Sequence, residues 1–307
     1  MTTDAKKQFV PLVGSEFAEL EKNLVWIFAS PRSGTTWLSS QLLSHDTEIF
    51  GEPLIGSHLA DSRELGRTFI RRYEEQSARE HYFFCDQYKH AWQPFVRKLI
   101  LSRIHAQFQT LDTPIVVKEP NGSMAADMIS QCLPNSKIIV LVRDGRDVLN
   151  SKITALSKGG YAEKMSGGKF KPLSGQRRRN HLLLSAREWV KLVEVLQDTY
   201  NNHNTKLRTF LKYEDLIQDT KPILRELYQF IGVDIPEERL NSIVETTNAK
   251  NMGSSNKGIG TTVQFATSGV WKERFSQEEV ALIEDIISPG LTNLGYDLSN
   301  TAMAMST

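Results

Sequence analysis

Ala29-Ser30-Pro31-Arg32-Ser33-Gly34-Thr35-Thr36-Trp37 is the stretch from which the fold is read. In front of it, Val25-Trp26-Ile27-Phe28 is a short run of bulky apolar residues, the pattern of a buried strand. Behind it, Leu38, Gln41, Leu42 and His45 recur at helical spacing. A strand therefore enters a tight turn holding Gly34, and a helix leaves it. That geometry aims unpaired N–H groups and the positive end of the helix dipole at one point, an anion site. The hydroxyls of Ser33, Thr35 and Thr36 add donors and Arg32 adds a fixed positive charge. The nucleoside-triphosphate version of such a loop, G-x-x-x-x-G-K-[ST], needs Gly at position 29 and Lys at position 35. Ala29 and Thr35 stand there instead, so the anion is phosphate-like while the group transferred need not be a phosphoryl.

Outward from this turn the chain reads as an α/β protein. Glu48 to Pro53 is a short strand ending at a turn, Pro114 to Lys118 a second strand, Lys137 to Val142 a third, and Leu207 to Leu211 another. Ligands of open α/β sheets bind beyond the carboxyl ends of the strands, which puts Ala29, Lys118 and Arg143 at one rim. The expected architecture is a single three-layer domain over residues 1–307 with a central parallel sheet. Residues 57–112 read as mostly helical, with Trp92, Phe95, Val96, Leu99, Ile100 and Ile104 on one core-facing stripe. Trp189, Leu192, Val193 and Leu196 mark one face of a long helix, and Pro222 opens another that runs toward Gly232. Residues 1–22 read as a polar extension, and 158–180 and 248–270 as mobile loops, the first of them basic.

The 307 residues carry a net charge of +1, which gives no global pull toward nucleic acid or membrane. Two cysteines, Cys85 and Cys132, argue against a disulfide framework and for a reducing compartment. The apolar run from Leu24 to Ala29 is far too short for a signal or a membrane span, so a cytoplasmic location is expected. His58, His81, His90 and His105 are too scattered for a metal cluster, and no metal is assigned.

Pro31-Arg32-Ser33-Gly34-Thr35-Thr36-Trp37 resembles the 5′-phosphosulfate loop of the sulfotransferases that use 3′-phosphoadenosine-5′-phosphosulfate (PAPS); Arg at position 32 is the choice of their tyrosylprotein branch. Arg143-Asp144-Gly145-Arg146-Asp147-Val148-Leu149-Asn150-Ser151 has the Arg…Ser spacing of that family's 3′-phosphate site. Tyr213-Glu214-Asp215-Leu216 resembles its adenine-contacting box. Asn256-Lys257-Gly258, with Gly269-Val270-Trp271-Lys272, resembles its C-terminal cofactor loop, although Asn256 replaces an Arg.

The resemblance implies PAPS as co-substrate, transfer of its sulfuryl group to a hydroxyl or amine, and release of adenosine 3′,5′-bisphosphate (PAP). It implies that Arg32, Ser33, Gly34, Thr35 and Thr36 clamp the phosphosulfate, with Lys118 beside the transferred group. Arg143, Ser151, Lys257 and Gly258 would select the 3′-phosphate, while Trp37 and Tyr213 face adenine. The cytosolic members place a catalytic His two residues after the Lys of the second strand, where this chain has Pro120. The tyrosylprotein branch uses a Glu after the first helix, which Gly51-Glu52 matches, so Glu52 is expected as the base, ahead of Glu119 and His58. A small-molecule acceptor is expected, with peptide tyrosine or carbohydrate as alternatives, and a homodimer is left open. Readings of another class are a nucleotide kinase and a non-catalytic nucleotide-binding module.

Overall fold

The computed structural model describes residues 10–44, 46–167, 169–247 and 267–299. Seven strands are described: β1 (Leu24–Ala29), β2 (Glu48–Gly51), β3 (Ser62–Leu65), β4 (Thr68–Arg71), β5 (Ile115–Lys118), β6 (Lys137–Val142) and β7 (Arg208–Lys212). The N-terminal half of the chain supplies helices α1 (Glu16–Lys22), α2 (Thr35–Leu42), α3 (Ile55–Leu59), α4 (Arg72–Gln76), α5 (Lys89–Phe108), α6 (Ala126–Cys132) and α7 (Gly145–Ala155). The rest are α8 (Tyr161–Met165), α9 (Gly175–Asn202), α10 (Tyr213–Gln218), α11 (Thr220–Ile231), α12 (Glu237–Thr247), α13 (Trp271–Arg274) and α14 (Gln277–Asn293).

Five strands form one parallel sheet in the order β2-β5-β1-β6-β7. Its three central strands read as nearly continuous apolar runs because helices cover both faces. The alternation of a strand decides which face each side chain joins. Trp26, Phe28, Val117, Ile138 and Val140 enter the core built with α5, α6, α9 and α14, where Trp26 and Phe28 stack at 5.6 Å. Val25, Ile27, Val116, Ile139 and Leu141 enter the core closed by α2, α11 and α12. The three-layer parallel architecture expected from the sequence is the one observed.

Several local expectations are corrected. Residues 62–71 form an antiparallel hairpin, β3 with β4, inside the segment read as helical. Its turn residue Gly66 has φ +62°, the conformation that short hairpin turns favour, but the polar strands Ser62–Leu65 carry little apolar alternation. On α5 the buried stripe is Trp92, Ile100, Leu101 and Ile104, while Phe95 and Leu99 are 72% and 70% exposed. Within the polar stretch 1–22, residues 16–22 form the helix α1, and its Glu21 is buried against Arg97. Within 158–180, α8 and the first turns of α9 are helical, and Arg178 pairs with Glu279 at 2.6 Å. His45 and most of the loop at 248–270 lie outside the described residues. No described helix is long and apolar enough to cross a membrane.

Candidate active site

The first strand lies between β5 and β6, so the turn that follows it opens where the chain switches direction across the sheet, the place where α/β ligands bind. Arg32 and Gly34 hold left-handed backbone at φ 77° and 89°. Gly34 has a second requirement. A Cβ there would come within 2.4 Å of the Tyr213 ring. Thr35 and Thr36 begin α2, so their N–H groups have no intrahelical acceptor. Ser33 is fully buried, and its Oγ has no partner among the described residues.

Three cations converge on this turn from three neighbouring strands. Arg32 Nε donates to Ser151 Oγ at 2.9 Å, which joins this turn to α7. Arg143, just past β6, donates to the carbonyl of Arg32 at 3.2 Å and to that of Thr267 at 2.9 Å, and lies 4.5 Å over the Tyr213 ring. Its Nε is buried with no partner among the described residues. Burial, and then the Arg143 guanidinium, push the Arg32 pKa down, while Glu52 acts the other way. Two crowded guanidiniums and an orphaned hydroxyl form a site that an anion relieves. The third cation, Lys118, ends β5 and donates to Thr36 Oγ1 at 3.2 Å.

Lys118 Nζ also contacts Glu52 Oε1 at 2.8 Å, and Asn121 Nδ2 donates to Glu52 Oε2 at 2.9 Å. Glu52 and Leu54 both hold positive φ, 52° and 59°, on either side of Pro53. Proline favours extended backbone in the residue before it, so this turn is strained, each such residue costing roughly 1–3 kcal/mol.

The other two candidate bases lie elsewhere. Glu119 is 0% exposed and turns beneath the 52–56 turn, where its carboxylate accepts N–H groups from Leu54 at 3.1 Å and Gly56 at 3.2 Å. His58 is exposed on α3, and among the described residues no hydrogen bond or ion pair links it to Lys118 or Arg32. Trp37 and Tyr213 do meet, edge to face at 6.2 Å, but one face of Tyr213 carries Arg143. Lys257 and Gly258 lie outside the described residues.

Two carboxylates with bracing positions escaped the sequence reading. One is Glu119 as a clamp. The other is Asp147, one turn after Arg143 in α7, which accepts the N–H groups of Gly269 at 2.7 Å and Trp271 at 3.1 Å. It thereby ties the segment carrying Gly269-Val270-Trp271 to the rim. The i,i+4 spacing from Arg143 was the available signal.

The sequence model of the sulfotransferase family matches residues 25–237, and the chain belongs to that family. It is 25% identical over 196 residues to mouse (Mus musculus) carbohydrate sulfotransferase 5, covering 59% of this chain and 48% of that one. The chain thus spans about half the length of that relative. It is 21% identical over 284 residues, 91% of each chain, to a Caenorhabditis briggsae protein described as a protein-tyrosine sulfotransferase. Among solved structures, a mouse sulfotransferase complexed with PAP superposes with a TM-score of 0.54 at 14% identity, covering 91% of this chain and 89% of that one. A Mycobacterium avium sulfotransferase superposes with a TM-score of 0.54 at 10% identity, covering 92% and 80%. At these identities the structural likeness speaks for the fold.

Proposed function

We propose that the protein transfers the sulfuryl group of PAPS to the hydroxyl of a small-molecule acceptor. The observation that carries this reading is the lysine bridge, Thr36–Lys118–Glu52, which sets a carboxylate beside the anion turn. The residues fit the nucleotide: Ser33 Oγ and Arg143 Nε are buried donors without partners among the described residues. PAPS supplies a sulfuryl group activated by its bond to the 5′-phosphate. Arg32, the α2 N–H groups and the hydroxyls of Ser33, Thr35 and Thr36 hold that phosphosulfate. Arg143 and Ser151, with Lys257 and Gly258, select the 3′-phosphate, and Trp37 and Tyr213 form the wall toward adenine. Glu52 takes the acceptor's proton as its oxygen attacks sulfur. Lys118 and Arg32 stabilise the charge that gathers on the phosphate oxygen as the S–O bond breaks, and PAP leaves.

Cys85 and Cys132 are buried free thiols, which supports a reducing compartment and, with it, a small acceptor. Peptide tyrosine is the second reading, favoured by the nematode relative that covers 91% of the chain. The test is transfer of label from [35S]PAPS to a panel of a simple phenol, a primary alcohol, a tyrosyl peptide and a hexosamine. The expected result is turnover on the phenol or alcohol. Turnover on the peptide alone overturns the acceptor class, and no turnover despite PAP binding indicates a binding module.

A further inference from the structure

The surroundings of Glu119 give it work other than that of a base. The residue is fixed from every side. Its N–H donates to Ile27 O at 3.1 Å in β1, and its carbonyl accepts from Ser123 Oγ at 2.7 Å. Ser123 Oγ in turn accepts the N–H of Ala29 at 3.0 Å. The side chain has no room to move: a Cβ on Gly122 would sit 1.9 Å from Glu119 Oε1, and one on Gly56 would sit 1.8 Å from the Gly122 carbonyl. From this seat both carboxylate oxygens accept N–H groups of the turn after Glu52, through Leu54 and Gly56. Two residues further along, Asn121 bonds the Glu52 carboxylate itself at 2.9 Å, and its own carbonyl accepts from Ser57 Oγ at 3.0 Å.

We propose that the segment Lys118–Asn121 positions Glu52 for proton transfer. Glu119 holds the strained backbone that carries it, and Asn121 holds its outer oxygen. The Glu52 N–H is held by the Lys118 carbonyl at 2.8 Å, but without the clamp the left-handed backbone at Leu54 is free to relax toward extended conformations and swing the carboxylate off the rim. The side-chain bonds of both residues go to the 52–56 turn and not to Arg32–Thr36, so side-chain substitutions at them should leave nucleotide binding intact. This inference rests on Glu52 as the base, and its test is built to fail separately.

The experiment is a double-substitution cycle read by [35S]PAPS transfer to the best acceptor of the panel above, with PAP binding measured by thermal shift. Glu119→Gln keeps the volume but sets an amide donor against a turn N–H. It is expected to lower kcat by about 10- to 100-fold while KM for PAPS and the PAP shift stay as in the wild type. Asn121→Ala, an exposed change, is expected to lower kcat by a smaller factor, again without touching KM for PAPS. In a Glu52→Gln background both changes should cost nothing further, because they act through the carboxylate already removed. Equal losses in both backgrounds overturn the inference and leave Glu52 as base. A Glu119→Gln protein that does not fold overturns the positioning role of Glu119, and Asn121→Ala then decides the other arm. If Glu52→Gln is itself as fast as wild type, the base reading falls, and this inference falls with it.

Discussion

At the scale of single residues the site is a meeting of charges that the chain brings from distant positions. Glu52→Gln keeps the shape and removes the basicity, so transfer should slow by about 10²- to 10⁴-fold with PAP binding retained; an undiminished rate moves the base elsewhere. Arg143, proposed for the 3′-phosphate, also donates to the Arg32 carbonyl. Arg143→Ala should therefore weaken PAP by about 1.5–3 kcal/mol, the range for a bond to a charged group. It should weaken adenosine 5′-phosphate by only a fraction of that, through the loosened turn. Equal losses in calorimetric titrations of the two nucleotides would remove Arg143 from the 3′-phosphate. Gly34→Ala should abolish the PAP-induced thermal shift, because its Cβ would meet the Tyr213 ring at 2.4 Å and φ is +89°.

At the scale of elements, two buried carboxylates lace loops to the sheet rim, and one of them titrates near neutrality. Burial raises the Glu119 carboxyl from 4.5 to about 7, against the pull of the Gly56 and Leu54 N–H groups, with Glu52 adding to the rise. The sign follows from proton counting. Between about 4.5 and 7 the folded state keeps a proton that the unfolded state has released, so this group's contribution to stability is greatest at low pH and is lost as pH rises through 7. Glu119→Gln does not titrate. The stability of the wild type relative to that variant, from urea melts, should fall between pH 5 and pH 8; a constant or rising difference contradicts the assignment. Asp147→Ala would leave the Gly269 and Trp271 N–H groups without their acceptor. Each unsatisfied buried group costs roughly 1–3 kcal/mol, to be read from the same melts.

What was legible in the sequence follows from the range of the interaction. The anion turn is local: a strand, Arg32 to Thr36 and a helix are contiguous, so residue types alone carry it. Glu52 is a candidate from the sequence because a motif marks it. The clamp by Glu119 joins residues more than sixty positions apart, and no pattern along the chain announces such a contact. Phe95 and Leu99 were misplaced for another reason. Helical periodicity defines a stripe, but the neighbouring stripe through Trp92, Ile100 and Ile104 is the one that meets the sheet.

At the scale of the whole molecule, the strand order β2-β5-β1-β6-β7 does the organising. It sets the strand bearing the anion turn between β5, which ends in Lys118, and β6, which Arg143 directly follows, so three cations reach one point from neighbouring strand ends. A site assembled from rigid strand ends binds its ligand in the folded state only, and stability should rise by about 2.7 kcal/mol at a hundredfold excess over the dissociation constant. The most direct test is a pair of calorimetric titrations on the wild-type protein, one with PAP and one with ATP and Mg²⁺. PAP should bind without added metal and at least about tenfold more tightly than ATP, a difference of about 1.4 kcal/mol. Tighter binding of ATP with Mg²⁺ would contradict a site built for a 3′-phosphorylated sulfuryl donor.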